Sequence, residues 1–338
     1  MHIYMIHFWS NPTLSQFHKV YSGVQKIHDG FTPRMGGFIV IIYLFVTSFF
    51  LEEVSLGMLR DILISLIPVI IVTTLEDIFN NIQPLVRLMV VLLSSVLLLI
   101  AHDFTWPLIN IPYLMDFFLD YPILLAITMV LSLTTLANGF NLIDGVNGLF
   151  YLSASTILGS LIILSNELQD PIIFMTCLVV LTGLLFSMPF NFPFGKMFAG
   201  DLGAYSIGIV VGFVTIVFFG NHPELPTWFV LLILFHPVFE LFFTMGRRLI
   251  QKKSMTQADG EHLHQLMYRH IRTTQKFSPL LANNMTTLCL SPLYAFALLW
   301  IGWHGAHMGF FLIVLGYVIQ VTLYITIYSS LKTSYKQT

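Results

Sequence analysis

The sequence predicts an all-α fold, a polytopic membrane bundle of about ten transmembrane helices with a cleft that faces the cytoplasm. Composition is the first observation that predicts it. Of 338 residues, 56% are hydrophobic and only 9% are charged, and the mean hydropathy is +0.82. A soluble domain carries about 25% charged residues, so most of this chain is expected to lie in lipid.

The lengths of the apolar runs are the second observation. About 20 apolar residues are enough to cross a bilayer. Gly and Pro mark most boundaries, and the stretch 103–120, with Trp106, Pro107 and Pro112, is predicted to be an interfacial loop. The predicted spans lie near residues 36–52, 60–76, 87–102, 121–138, 146–165, 171–189, 203–220, 226–245, 279–303 and 307–331.

The distribution of basic residues predicts the orientation. Cytoplasmic loops of membrane proteins are rich in Lys and Arg. With the N-terminus in the cytoplasm, every Lys and Arg except Arg60 falls on the cytoplasmic side. The chemically unusual junctions fall on that side too, which predicts one cleft open to the cytoplasm; they lie at residues 25–37, 75–80, 138–149, 192–203 and 259–270.

Acids and asparagines gather at three of these junctions. A single acid there is ordinarily a headgroup-zone charge, but clustered ionisable groups at membrane depth usually face a wet cavity. Carboxylate and amide oxygens with few basic partners suit Mg²⁺, which takes one or two carboxylates and phosphate oxygens of a substrate. The candidate residues are Glu76, Asp77, Asp144, Asp201, Asn138, Asn141 and Asn147.

Glycines flank two of the acids, in "DGVNG" and "AGDLG". Glycine lets the backbone approach a ligand closely, although membrane helices also pack through small residues. Asp201 lies where a helix is predicted to begin, and free N–H groups at a helix start favour phosphate. The pattern therefore indicates a site for a metal-bound diphosphate.

The basic loop 246–278 contains "EHLHQ", with His262 and His264 two residues apart. In an extended or bent segment both side chains could reach one ligand. Zinc is an alternative ligand, but the helical H-E-x-x-H spacing is absent. A solvated loop next to the membrane with stray histidines is the ordinary explanation.

The segment "PRMGG" contains Arg34, before the first predicted span. A basic anchor for that span is the simplest interpretation. Proline and two glycines make the segment stiffer than an anchor requires, and an arginine held there could bind phosphate with two hydrogen bonds.

The sequence does not indicate a nucleic-acid-binding, disulfide-rich or zinc-binding protein. No basic run interleaved with aromatics indicates nucleic-acid binding. The two cysteines, Cys177 and Cys289, lie in apolar runs and form neither a disulfide framework nor a zinc motif. The N-terminus lacks the pattern of a signal peptide.

The motifs in order, "PRMGG", "EDIFN", "NGFNLIDGVNGL", "FAGDLG" and "HLHQ", resemble those of the polyprenyl-phosphate N-acetylhexosamine-1-phosphate transferases, or membrane glycosyltransferase family 4. The resemblance covers the chain from about Ser22 to His270. It implies an enzyme of the bacterial inner membrane that uses Mg²⁺, or Mn²⁺, at its cytoplasmic face. Such an enzyme transfers a sugar 1-phosphate from a UDP-sugar to undecaprenyl phosphate and releases UMP.

The resemblance also implies what surrounds that reaction. The product would start a lipid-linked surface glycan such as O-antigen or capsule, and a homodimer is a family expectation. One transferase domain is expected over 35–338, with a cytoplasmic loop at 246–278. Residues 1–34 are expected to form a cytoplasmic stub where family members usually have a spanning helix.

The resemblance assigns the acids and amides as follows. Asp201 matches the metal-binding acid, and Asn141 matches an amide that helps to hold the metal or its diphosphate. Asp144 lies beside them as a catalytic candidate. Asn147, where the family often has Asp, is expected to contact the nucleotide sugar, and Asn138 is a further candidate for substrate binding.

The remaining assignments concern phosphates. Glu76 and Asp77 match an acidic pair near the lipid phosphate, with Asp77 as a base or an electrostatic orienter. His262 and His264 are expected to engage the diphosphate or the sugar. The resemblance also makes Arg34 and Arg87 phosphate contacts. The chain departs from the family pattern at Glu76 in place of Asp, at Asn80 in place of an acid and at Gln265 in place of a histidine.

Two other functions remain open from the sequence. Polar junctions in broken helices are also typical of secondary transporters. Glu240 and His236, four residues apart in a predicted span, favour that interpretation most. A non-catalytic assembly partner of a polysaccharide exporter is the third alternative, and the sequence offers no positive sign of it.

Overall fold

The computed structural model describes residues 32–50, 53–109, 113–254 and 259–337. Within these ranges the fold is all-α, as predicted, with one isolated bridge between Arg34 and Phe198 and no strand. A 3₁₀ turn covers Met188–Phe190. The helices are α1 (Gly36–Ser48), α2 (Glu53–Ser65), α3 (Ile67–Phe79), α4 (Pro84–Ala101), α5 (Leu114–Asp120), α6 (Pro122–Ile143), α7 (Leu149–Glu167), α8 (Pro171–Ser187), α9 (Gly200–Asn221), α10 (Trp228–Ile233), α11 (Phe235–Ile250), α12 (Leu263–Gln275), α13 (Pro279–Cys289), α14 (Ser291–Tyr294), α15 (Phe296–His304) and α16 (Phe310–Gln337).

The predicted count of about ten spans is not confirmed. Among the described residues, seven helical stretches are long and apolar enough to cross a membrane. The bent pair Gly57–Ser65 and Ile67–Phe79, with an angle of 49° between its halves, would make an eighth. The seven stretches are Pro84–Ala101, Pro122–Ile143, Leu149–Glu167, Pro171–Phe190, Gly200–Asn221, Pro279–His304 and Phe310–Ser334.

Two of the predicted spans have no counterpart among these stretches and the bent pair: 36–52 and 226–245. The helix α1 has 13 residues, or about 20 Å at 1.5 Å per residue, which is shorter than the apolar thickness of a bilayer. The second stretch breaks at Leu234 into α10 and α11. Pro237 lies in the first turn of α11, where its missing N–H costs least, and it could not continue a helix from the turn before.

The predicted interfacial loop 103–120 is also partly wrong. Its second half contains α5, a helix of 7 residues. In the first half, the backbone at Thr105 lies directly against the end of α9. A Cβ added at Gly220 would be only 1.8 Å from the carbonyl oxygen of Thr105. Residues 110–112 of this stretch lie outside the described ranges.

The bundle is organised around α9. Every residue of α9 from Gly200 to Gly220 is buried, and the helix packs on α6, α3, α1 and α7. The contact with α6 is closest at Gly208, where an added Cβ would lie 2.4 Å from the Cα of Ala137. Small residues allow such close approach of backbones in membrane bundles. The central position of α9 places its first turn among residues from several other helices.

We expect Gly208→Ala to destabilise the protein, because the new methyl group would force α6 and α9 apart. Overpacking of this kind costs about 1–3 kcal/mol. The measurement is the thermal unfolding midpoint in detergent. Gly246→Ala is the matched control, since a Cβ there meets nothing within 4 Å. Equal midpoints for the two variants would contradict the close α6–α9 contact.

Candidate active site

A short backbone pairing places the segment around Arg34 beside the start of α9. The N–H of Phe198 donates to the carbonyl oxygen of Pro33 over 3.0 Å, and the N–H of Gly36 donates to the carbonyl oxygen of Phe198 over 2.8 Å. Two predicted junctions, 25–37 and 192–203, therefore meet where residues 33–36 and 198 pair.

Two carboxylates bind the free amides at the start of α9. The first N–H groups of a helix have no partner within it and carry partial positive charge. Asp77 accepts hydrogen bonds from the backbone N–H groups of Asp201 and Leu202 over 3.0 and 2.9 Å. Asp144 Oδ2 accepts from the N–H of Gly200 over 2.9 Å. The junctions 75–80 and 138–149 thus join the same cluster.

The backbone at Gly200 explains why glycine begins this helix. Its φ is +74°, in the left-handed region that favours glycine. A Cβ at this position would also lie 2.7 Å from Oδ2 of Asp77 and 2.9 Å from the Cβ of Arg34. The close approach of Asp77 to the helix start therefore depends on the absence of a side chain here.

The side chain of Asp201 is buried in the first turn of α9 and faces two arginines. Its Oδ2 lies 2.5 Å from Nη1 of Arg87, which is also 3.7 Å from Oε1 of Glu76. Its Oδ1 lies 3.9 Å from Nη1 of Arg34, whose side chain is 45% exposed. One oxygen of Asp201 is therefore strongly paired, whereas the other has only a distant arginine.

Asn141 joins this cluster through a tyrosine. Its side-chain amide donates to the hydroxyl of Tyr205 over 2.9 Å. Tyr205 follows Asp201 by four residues, so the two side chains share one face of α9. Asn138 differs, because its amide donates to the carbonyl oxygen of Thr134 in its own helix over 2.8 Å.

Asp144 keeps one oxygen without a partner. Its Oδ1 is buried and makes no hydrogen bond within the described structure, while Oδ2 binds the N–H of Gly200. Burial raises the pKa of Asp144 to about 8. Buried polar atoms are normally satisfied, so this oxygen is suited to a ligand that brings a cation or a hydrogen-bond donor.

These residues fit the predicted magnesium ion better than zinc. Across the described ranges, no group of three His, Cys, Asp or Glu side chains is placed to hold a metal, and a zinc site needs at least three protein ligands. Magnesium typically takes one or two carboxylates and completes its shell with water and phosphate oxygens. Oδ1 of Asp201, the amide oxygen of Asn141 and the free oxygen of Asp144 are the matching donors.

Asn147 lies on the other side of the same turn and is fully buried. Its backbone N–H donates to Oδ1 of Asn283 over 2.6 Å, and its side-chain amide donates to Oδ1 of Asn284 over 3.0 Å. Its carbonyl oxygen accepts from the hydroxyl of Thr287 over 2.6 Å. These bonds tie the 144–148 turn to α13, and the predicted contact of Asn147 with a nucleotide sugar stays a prediction.

The histidine segment reaches the same turn from the opposite direction. His264 is buried, and a Cβ at Gly145 would lie 2.8 Å from its Nε2. The rings of His262 and His264 stack in parallel, 5.6 Å apart. Burial lowers the pKa of His264 to about 3, so its ring is neutral at neutral pH. All five predicted junctions are therefore connected in space.

A comparison with known protein families shows what the middle of the chain is similar to. Residues 59–219 match the family model described as glycosyl transferase family 4. Over this segment the chain is similar to glycosyl transferase family 4. This confirms the resemblance on which the sequence prediction depends. The matched segment includes the predicted site residues that lie in or beside α3, α4, α6 and α9. Arg34, His262 and His264 lie outside this segment.

Curated relatives of this chain carry related names. A probable undecaprenyl-phosphate N-acetylglucosaminyl 1-phosphate transferase of Bacillus subtilis is 23% identical, over 71% of this chain and 66% of the relative. An undecaprenyl-phosphate alpha-N-acetylglucosaminyl 1-phosphate transferase of Thermotoga maritima is 32% identical over 40% of each chain. A phospho-N-acetylmuramoyl-pentapeptide-transferase of Dictyoglomus thermophilum is 27% identical, over 63% and 68%. The chain therefore spans 66% and 40% of the first two relatives.

Two residues of this candidate site were missed by sequence reasoning. Tyr205 could have been found, because it lies one helical turn after Asp201. Glu240 was considered only for transport, yet its Oε1 lies 3.4 Å from Nδ1 of His262. No sequence spacing could have revealed this contact, because it joins α11 to the segment before α12.

We expect Asn147→Asp to lower stability. Oδ1 of Asn284 faces position 147, and its orientation is fixed because its amide donates to the carbonyl oxygen of Pro193 over 2.7 Å. A carboxylate at 147 would present a second acceptor to Oδ1 of Asn284 in a buried place, at a cost of about 1–3 kcal/mol. The measurement is the thermal midpoint, with Asn166→Asp at an exposed position as control. No difference between the two variants would show that the bond to Asn284 is not needed.

Proposed function

We propose that this protein transfers an N-acetylhexosamine 1-phosphate from a UDP-sugar to undecaprenyl phosphate and releases UMP. 

The donor class that we propose is a UDP-N-acetylhexosamine. The names of the Bacillus and Thermotoga relatives support this proposal, since both name an N-acetylglucosaminyl 1-phosphate transferase of undecaprenyl phosphate. We further propose that the reaction takes place at the cytoplasmic face of a bacterial inner membrane and starts a surface glycan such as O-antigen or capsule.

The observation that carries the proposal is the convergence of acids and arginines on the first turn of α9. Asp77 and Asp144 come from the ends of two other helices, and both accept hydrogen bonds from the backbone segment that carries Asp201. Arg34 and Arg87 lie against the same group. Phosphoryl transfer depends mainly on positioning and on charge stabilisation, and this cluster offers groups for both.

Magnesium, when bound, would neutralise the diphosphate and polarise the phosphorus–oxygen bond that breaks. Asp201 and Asn141 would hold it, with Asp144 beside them. Arg87 balances the charge of Asp201. The exposed side chain of Arg34 is placed to bind a phosphate oxygen, because its guanidinium lies at the outer side of the cluster.

Asp77 is better suited to orienting than to accepting a proton. Both of its oxygens already accept hydrogen bonds from backbone N–H groups of α9. The second pKa of a phosphate monoester is near 6, by analogy with phosphoserine, so the lipid phosphate is largely dianionic at neutral pH. Attack by that phosphate on the donor therefore requires no strong base.

The transporter alternative gains no support from the structure. Glu240 binds the hydroxyl of Tyr324 and the backbone N–H of Leu263, and His236 shares a hydrogen bond with the hydroxyl of Ser153. Both residues are thus engaged in contacts within the bundle.

The proposal is tested by measuring UMP release. Purified full-length protein is incubated with undecaprenyl phosphate, Mg²⁺ and a panel of UDP-N-acetylhexosamines, with omission of the lipid as control. We expect lipid-dependent UMP with at least one donor. A folded protein that releases no UMP with any donor would overturn the proposal.

We expect Asp201→Asn to lower UMP release by about 100-fold or more, because it removes charge that would hold the cation. The matched control is Asp103→Asn, the same change at an exposed acid outside the cluster. The readout is the initial rate at saturating substrates, with the thermal midpoint measured in parallel. Activity of Asp201→Asn within a few-fold of wild type would remove this residue from the metal site.

His264→Ala should raise the donor KM much more than Gln265→Ala does. The ring of His264 faces Gly145 in the candidate site. The side-chain amide of Gln265 instead lies 3.0 Å from the carbonyl oxygen of Gly260, within its own loop. The donor KM of each variant is compared with that of wild type, and equal effects would refute the assignment of His264 to donor binding.

A further inference from the structure

The reaction proposed above leaves a charged residue unused within α11. Glu240 is 1% exposed. Burying a carboxylate costs several kcal/mol unless it is well paired, and such residues within membrane bundles are usually functional. Its surroundings indicate what the charge does.

Glu240 connects three parts of the fold. Its Oε2 accepts a hydrogen bond from the hydroxyl of Tyr324 on α16 over 2.6 Å. Its Oε1 accepts from the backbone N–H of Leu263, the first residue of α12, over 3.2 Å. The same oxygen lies 3.4 Å from Nδ1 of His262. The carboxylate therefore caps α12 from another helix and holds the residue that precedes it.

The contacts continue from His262 to the candidate active site. Nδ1 of His262 also lies 3.2 Å from the hydroxyl of Thr244, one turn after Glu240. The ring of His262 stacks in parallel on that of His264. Nε2 of His264 in turn lies against Gly145, which follows Asp144 in the turn before α7.

Attachment of the loop does not itself require Glu240. Arg247 pairs with Asp259 and with Glu261, and Lys332 pairs with Glu261. These ion pairs fasten the segment before His262 to α11 and α16. Glu240 acts instead at the histidines, where it sets the position of the ring of His262 and, through the stack, that of His264.

We propose that Glu240 and Tyr324 are positioning residues that hold His264 against the 144–148 turn for donor binding. This inference rests on the proposed function. Because Tyr324 lies on α16, this helix would help to support the donor site. The segment that matches the family model does not include α16. Residues that orient a ligand-binding histidine commonly matter nearly as much as the histidine itself.

The first test uses Glu240→Gln and Tyr324→Phe. Each keeps the shape of the side chain and removes the charge or the hydroxyl. We expect the donor KM to rise about tenfold, a typical size for the loss of one such coupling, with kcat and the KM for undecaprenyl phosphate nearly unchanged. Tyr328→Phe is the matched control, because Tyr328 lies one turn along α16 and its hydroxyl makes no bond to Glu240.

A purely structural role predicts a different outcome. Loss of correctly folded enzyme would lower the apparent kcat and leave the donor KM unchanged, and that result would overturn the proposal. A double-mutant cycle adds a second criterion. In a His264→Ala background, Glu240→Gln should have little further effect on the donor KM. An undiminished effect would show that Glu240 does not act through His264.

The second test does not depend on activity. Hydrogen exchange measured by mass spectrometry reports the N–H of Leu263, which Glu240 binds. We expect faster exchange in the peptide that contains Leu263 for Glu240→Gln and Tyr324→Phe, and no change for Tyr328→Phe. Unchanged exchange in both variants would overturn the proposal. A wild-type protein that releases no UMP would refute the proposed function alone, because the exchange result still decides whether Glu240 holds this segment.

Discussion

The binding of two carboxylates to the first amides of α9 is the interaction on which the site depends. The helix is buried along its length, so its free N–H groups cannot be satisfied by water and need partners from elsewhere in the fold. Asp77 and Asp144 supply those partners. Because they come from the ends of α3 and α6, this one requirement brings both helix ends to the first turn of α9. The glycine at position 200 allows the approach.

The charges around this helix start are balanced in pairs. Arg87 lies between Asp201 and Glu76, and Arg34 approaches Asp201 from the exposed side. Charged groups at membrane depth are costly unless they are paired or face a wet cavity. The two arginines thus allow the acids to lie close together.

The sequence predicted the grouping of the site but not its contacts. The acids of the junctions at 75–80, 138–149 and 192–203 could be placed on one face because basic residues define the orientation. The role of Asp77 as a cap for α9 could not be predicted, since it joins positions 124 residues apart. The same holds for the contact between Glu240 and His262, which depends on the fold of α11 and the loop. The predicted count of about ten spans is not confirmed for the described residues, and one reason is that hydropathy does not report the break at Leu234.

The most direct measurement of the central claim is an experimental structure of the full-length protein with Mn²⁺ and a UDP-N-acetylhexosamine. The account predicts metal and diphosphate density beside Asp201 and the 144–148 turn, within reach of His264, with Asp77 and Asp144 still bound to the first amides of α9. Density at another place, or a helix start from which both carboxylates are absent, would contradict it.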